Sequence, residues 1–256
     1  MTFEEFLDFQ QSLSYQRSSR LDRVHIGLVQ LSTDCSLEMD WAKLSGTQAA
    51  VFSSRVYYSS YLTPEELRQI AAGIPASAKL IAQDLPMDVM VFGCTSASIV
   101  IGEEEVARLL TEDHPGIPAT NPWSAAKASF SHFNAKKIAV FSPYTPEVNY
   151  ALHQQLSASG FDVVRLGSLG IERDTEITFV SYDSVRTGLE TLLKGSDAEL
   201  VFLSCTNLRV LDHLADIEEE FGIPAVCSNA AMFWHAMELA GRPASCPGYG
   251  RLLSQG

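Results

Sequence analysis

Two Cys-Thr dipeptides, 111 residues apart, each close an apolar run with the length and composition of a buried strand: Val89-Met-Val-Phe-Gly-Cys-Thr-Ser96 and Leu200-Val-Phe-Leu-Ser-Cys-Thr-Asn207. Two more landmarks recur in the same order. A basic residue leads into a β-rich run at Arg23-Val-His-Ile-Gly-Leu-Val29 and again at Lys137-Ile-Ala-Val-Phe141. The tetrapeptide Gly-Ile-Pro-Ala occupies 116–119 and 222–225, an offset of 106 residues. Three landmarks in register identify a diverged internal duplication, so the chain must fold as two similar units.

Strand-like and helix-like segments alternate between the landmarks. Thr63-Pro64 before two glutamates is a helix start, with Thr63 as N-cap and Pro64 in the first turn. After the second cysteine, Leu208, Leu211, Ala215, Ile217 and Phe221 recur at helical spacing, and Gly222 is placed to end that helix. Such alternation predicts an α/β fold of two pseudo-symmetric domains, each a parallel sheet flanked by helices, with the active site at the domain interface. The expected division is an N-terminal helix over 1–20, a first domain of 21–121 with 230–256, and a second of 122–229. The N-terminal helix is expected to be amphipathic, with a capping box between Thr2 and Glu5 and a buried side of Phe3, Phe6, Leu7 and Leu13.

The whole-chain balance narrows the partners. The formal charge of −13 repels phosphate backbones and anionic membranes, which argues against nucleic acid and membrane surfaces. Apolar runs stay near strand length, well below the ~18–20 residues of a membrane span. The acidic opening Met1-Thr-Phe-Glu-Glu5 lacks the basic start and apolar core of a signal peptide, and five cysteines without close pairing suit a reducing compartment, so a cytoplasmic location is expected.

Each Cys-Thr pair is predicted at the carboxyl end of a strand, where open α/β sheets bind ligands and where unpaired N–H groups of a following helix attract negative charge. There a thiolate is expected to be stabilised, making Cys94 and Cys205 usable as base, acid or nucleophile. Their neighbours Thr95, Ser96, Thr206 and Asn207 supply donors for a substrate carboxylate. Cys35, Cys227 and Cys246 are expected to pack. Other chemistries lack their signatures: no clustered Cys/His spacing suggests zinc, no Gly-x-Gly-x-x-Gly suggests a dinucleotide, and Val100 and Leu211 stand where a phosphatase loop needs arginine.

Gly93-Cys-Thr-Ser-Ala-Ser98 with Ile101-Gly-Glu-Glu104, Ser204-Cys-Thr-Asn-Leu-Arg209, and Ser228-Asn229 with Trp234-His235 together resemble motifs of the aspartate/glutamate racemase superfamily. The narrower likeness is to its maleate cis-trans isomerase, arylmalonate decarboxylase and ectoine-utilisation racemase-like branch. The resemblance implies no cofactor, a homodimer, and a small carboxylic acid held between two cysteines acting from opposite faces. Arylmalonate decarboxylases of this branch keep only the second cysteine, so the presence of Cys94 argues against simple decarboxylation. Tyr144 matches a carboxylate-holding tyrosine of the isomerases, with Thr145 as a second donor. Asp34, in Ser32-Thr33-Asp34, stands where the isomerases have asparagine. An ionised aspartate only accepts hydrogen bonds, which tilts the expected substrate towards an amino acid derivative. Gly170-Ile-Glu-Arg-Asp-Thr175 is expected to add another site loop.

Overall fold

The computed structural model describes residues 1–16, 22–82 and 84–254. The first half forms β1 (Val24–Leu31), β2 (Ala49–Val56), β3 (Val89–Gly93) and β4 (Ala119–Thr120), and the second forms β5 (Lys137–Ser142), β6 (Asp162–Ser168), β7 (Leu200–Leu203) and β8 (Ala225–Cys227). The sheet orders are β2-β1-β3-β4 and β6-β5-β7-β8, and every pairing is parallel. The two halves therefore repeat one topology. The recurring landmarks fall on equivalent strands: the basic-led runs on β1 and β5, the Cys-Thr runs on β3 and β7, and Gly-Ile-Pro-Ala at β4 and β8.

Strands β1, β3 and β7 are buried at every residue, as a parallel sheet covered on both faces requires, while the edge strand β6 is largely exposed. Aromatic edge-to-face contacts tie helices to the sheets and to each other. Phe130 meets Phe202 at 5.4 Å between ring centroids, and Trp41 meets Phe233 at 5.5 Å. The helix Ser228–Leu239 leaves β8 and returns to pack on Pro122–His132, on Leu37–Ser45 and on β3 and β4. Its His235 shares a 2.7 Å hydrogen bond with the Thr120 hydroxyl, so this histidine is engaged with the sheet.

Two glycines matter for the site. A Cβ on Gly93 would lie 2.4 Å from Leu37 Cδ2, so a side chain before Cys94 would force Leu37 to shift against the end of β3. Gly222 ends the helix Leu214–Phe221 in the left-handed region, φ 75°, as the sequence pattern requires.

Two local expectations need correction. The N-terminal helix spans only Phe3–Phe9; its Thr2–Glu5 capping box forms, but Phe3, Phe6, Leu7 and Leu13 are all exposed. Capping is a local property, whereas burial needs a surface to receive the apolar stripe, and no described residue supplies one. Residues 17–20 of that expected helix, and 255–256 at the other end, lie outside the described residues. The second correction concerns the helical pattern read from Leu208: after Cys205 the chain runs through an irregular turn and the 3-10 segment Leu211–His213, so the helix starts only at Leu214 and Leu208 lies before it.

Candidate active site

The two cysteines emerge from the central region of their sheets and are presented differently. Cys94 is the N-cap of the helix Thr95–Ile101; its Sγ accepts the Ala97 N–H at 3.4 Å and lies 3.5 Å from the Ser96 hydroxyl. Cys205 has φ 125°, a conformation that a side-chain-bearing residue adopts only at a cost. Its surroundings must hold it there, and the Cys205 N–H donates to the Ser228 hydroxyl at 3.1 Å. The Thr95 hydroxyl donates to the same Ser228 oxygen at 2.9 Å. One buried oxygen thus joins the loop of each cysteine.

Loops after the edge strands β2 and β6 clasp each other over this centre. Asp174 N–H donates to the Ser60 carbonyl at 2.8 Å, Leu62 N–H to the Glu172 carbonyl at 2.9 Å, and Tyr61 and Arg173 form an antiparallel bridge. The clasp brings in two buried residues that the motif reading missed, Tyr58 and Asp174. The Tyr58 hydroxyl donates to the Tyr61 carbonyl at 2.7 Å, and Asp174 Oδ2 accepts the Thr33 hydroxyl at 2.5 Å. The available signals were the position of Tyr58 two residues beyond β2 and that of Asp174 in the 170–175 loop singled out above.

Of the residues expected to bind substrate, Thr95, Ser96, Tyr144 and Thr206 are buried around the thiols. The Tyr144 hydroxyl accepts from Ser204 at 3.3 Å. Burial, followed by the two cysteines, holds its phenol far above the ordinary range, so it stays a neutral donor. The Asn207 side chain is already occupied. Its Oδ1 accepts from Cys35 N–H at 3.0 Å and its Nδ2 donates to the Asp174 carbonyl at 3.0 Å, which leaves its backbone N–H to favour a Cys205 thiolate. Thr145 is turned away; its hydroxyl donates to the Leu62 carbonyl at 3.3 Å, beside a separate surface cavity of about 320 Å³. Asp34 Oδ1 accepts the N–H groups of Ser36 and Leu37 at 2.9 and 2.8 Å, capping the following helix turn.

The thiols are not stabilised as thiolates in the resting protein, contrary to the expectation from strand-end position. Burial pushes Cys94 up to about 12, with Asp174 the next cause, and the Ser96 and Ala97 donors offset only part of it. Cys205 is held well above its ordinary value by burial, then Asp174, with Cys94 and Asp34 adding to the effect. Asp174 is itself raised to about 6 by burial and by Asp34. Burial also raises Asp34 against its two backbone donors. The guanidinium that acts on Asp34, Arg55, is spent on the carbonyls of Leu31 and Asp34 and on the Glu38 carboxylate. The charged groups that act on the thiols are therefore acids. Cys227 and Cys246 are buried as expected, but Cys35 is exposed and not packed.

Two thiols, two carboxyl groups and neutral phenols are thus buried together, groups that can in chemical terms both give and take protons. The family model for arylmalonate decarboxylase matches residues 48–253. The chain belongs to the arylmalonate decarboxylase family. Arylmalonate decarboxylase of Bordetella bronchiseptica is 27% identical over 201 residues, covering 76% of this chain and 82% of that one. A maleate isomerase of Nocardia farcinica is 24% identical over 241 residues, 90% of this chain and 95% of that one. Among solved structures, a Nocardia farcinica maleate cis-trans isomerase mutant with a covalently bound succinylcysteine intermediate superimposes with TM-score 0.82 at 22% identity, covering 91% of this chain and 99% of that one. A liganded double mutant of arylmalonate decarboxylase gives TM-score 0.82 at 24% identity, with 91% and 100% covered. At those identities the superpositions establish the shared two-sheet architecture of this arylmalonate decarboxylase family member. Among the described residues no His/Cys/Asp/Glu group is arranged to hold a metal, and no helix is long and apolar enough to cross a membrane.

Proposed function

We propose that this chain is a cofactor-independent isomerase or racemase whose substrate is a small carboxylic acid bearing an amine, with Cys94 and Cys205 as its proton-transfer pair. The observation that carries this reading is the joint placement of both thiols beside Asp174, with Ser228 bridging their loops. A dianion entering this centre faces acids. A zwitterion can set its ammonium against Asp174 and its carboxylate against the Ser96 hydroxyl, the Tyr144 hydroxyl and the loop N–H groups.

The same charge arrangement supplies the activation that the resting thiols lack. An ammonium beside Asp174 neutralises the charge that most opposes either thiolate, so substrate binding lowers the cost of ionisation. One thiolate takes the α-proton, the carbanion's charge passes to the carboxylate held by neutral donors, and the opposite thiol delivers its proton to the other face. Proton count is conserved, with one sulfur gaining what the other loses.

A second reading is decarboxylation of a malonate-type acid with Cys205 as proton donor, favoured by the family match and by a thiol held strongly in its protonated form. Proton NMR in D₂O with maleate, aspartate, glutamate and ectoine-derived diamino acids separates the readings. Loss of an α-proton signal supports racemisation; appearance of fumarate from maleate removes the amine requirement; carbon dioxide release from an arylmalonate supports the second reading. Substantial turnover by Cys94→Ala or Cys205→Ala would sink the two-thiol mechanism.

A further inference from the structure

Beyond the second cysteine loop lies a polar cavity of about 340 Å³ whose wall includes Asp40, Lys43, Thr178, Arg209, Asp212 and His213 and neither thiol. Asp40 is buried at its inner edge, and its Oδ2 accepts the Asn229 side-chain N–H at 2.8 Å. The same Asn229 Nδ2 donates to the Thr206 carbonyl at 2.9 Å, and the Trp41 indole N–H donates to the Asn229 carbonyl at 3.1 Å. Asn229 Oδ1, by contrast, is buried with no partner. An amide chooses which end to present according to what its neighbours accept or donate. The present orientation, with a stranded Oδ1 and a doubly used Nδ2, is favoured when Asp40 can only accept.

We propose that Asp40, as a carboxylate, is a positioning residue for the second cysteine loop: it fixes the Asn229 amide so that Nδ2 holds the Thr206 carbonyl and with it the left-handed backbone of Cys205. A protonated Asp40 can donate to Asn229 Oδ1, which turns the amide over and releases the Thr206 carbonyl. Asp40 ionises near pH 6, raised chiefly by burial and lowered by Asn229 and Lys43. The charged and titratable groups around it are Lys43 on its own helix, Asp34 before that helix, Asp212, His213, Arg209 and Tyr182 across the cavity, and Cys227 at the end of β8. The cavity gives Asp40 a route to solvent protons that does not pass through the thiol centre.

The inference rests on Cys205 belonging to the site, but its test reads the loop itself and needs no substrate. Alkylation of Cys205 by iodoacetamide is followed by peptide mapping as a ratio to Cys94, from about pH 5 to about pH 7.5, which cancels the shared pH dependence of thiolate reactivity. In the wild type the ratio is expected to change by about fivefold, the equilibrium weight of one ordinary hydrogen bond, with a midpoint near 6. In Asp40→Asn, which keeps an acceptor but cannot ionise, the ratio is expected to be flat. A step of equal size and midpoint in both proteins would assign it to Asp174 and overturn the proposal, as would a flat wild-type ratio. A ¹⁵N NMR titration of the Asn229 side-chain amide in the wild type provides a measurement independent of the variant's folding. Amide shifts that move with the same midpoint support the proposal, and shifts invariant across that range overturn it.

Discussion

A carboxyl group beside two thiols opposes the ionisation of either, and Asp174 is the leading charged contributor at both Cys94 and Cys205. Asp174→Asn is therefore expected to speed alkylation of both thiols at fixed pH, by up to about tenfold for one pKa unit removed. In the resting wild type the exposed Cys35 should alkylate before either of them, which peptide mapping after brief labelling would reveal. Asp174 also links stability to pH. Its folded value near 6 lies above the ordinary 3.8, so its contribution favours folding below that lower value and is lost as pH rises through the upper one. Thermal melts of wild type and Asp174→Asn should accordingly diverge between about pH 4 and about pH 6, with the variant gaining relative stability as pH rises and the curves running parallel above about pH 7; parallel curves across the lower window would contradict the raised value. The thiol pair and its Thr and Ser neighbours were legible because strand-end position is written in local sequence. Asp174 and Tyr58 were not assigned to the site, because a pairing between the 57–62 and 172–175 segments places them there and neither segment states its partner.

At the scale of elements, the duplication made strand identity and order readable, since every landmark lies on an equivalent strand of the two sheets. Cap signals were equally local: Thr63 accepts from Glu66 N–H and Gly222 takes its left-handed turn. What local patterning could not supply was the irregular turn after Cys205, which depends on Ser228 and Asn229 from a helix 23 residues further along. Gly93→Ala tests the fit between β3 and the helix Leu37–Ser45. The added methyl lands 2.4 Å from Leu37 Cδ2, and the expected loss is about 1–3 kcal/mol in urea unfolding, the usual effect of overpacking. A loss below about 0.5 kcal/mol, as at ordinary surface positions, would mean that the helix yields easily.

For the whole molecule, the decisive fact is how much of the site belongs to neither half alone. Asn207 of the second half receives the Cys35 N–H and the Ser36 hydroxyl of the first, while its own amide holds Asp174. The halves should therefore unfold together, with tryptophan fluorescence and far-ultraviolet dichroism tracing coincident urea curves. Asn207→Ala should cost about 1–3 kcal/mol for each buried group it orphans. Ser228 carries a different consequence. Copies of a duplicated segment ordinarily diverge independently, because each can compensate its own substitutions. Here the Thr95 hydroxyl of one copy and the Cys205 backbone N–H of the other donate to the same oxygen, so loss of the Ser228 hydroxyl would disturb both loops at once. Both copies carry Cys-Thr, and one shared acceptor couples the two loops physically across the seam between the copies.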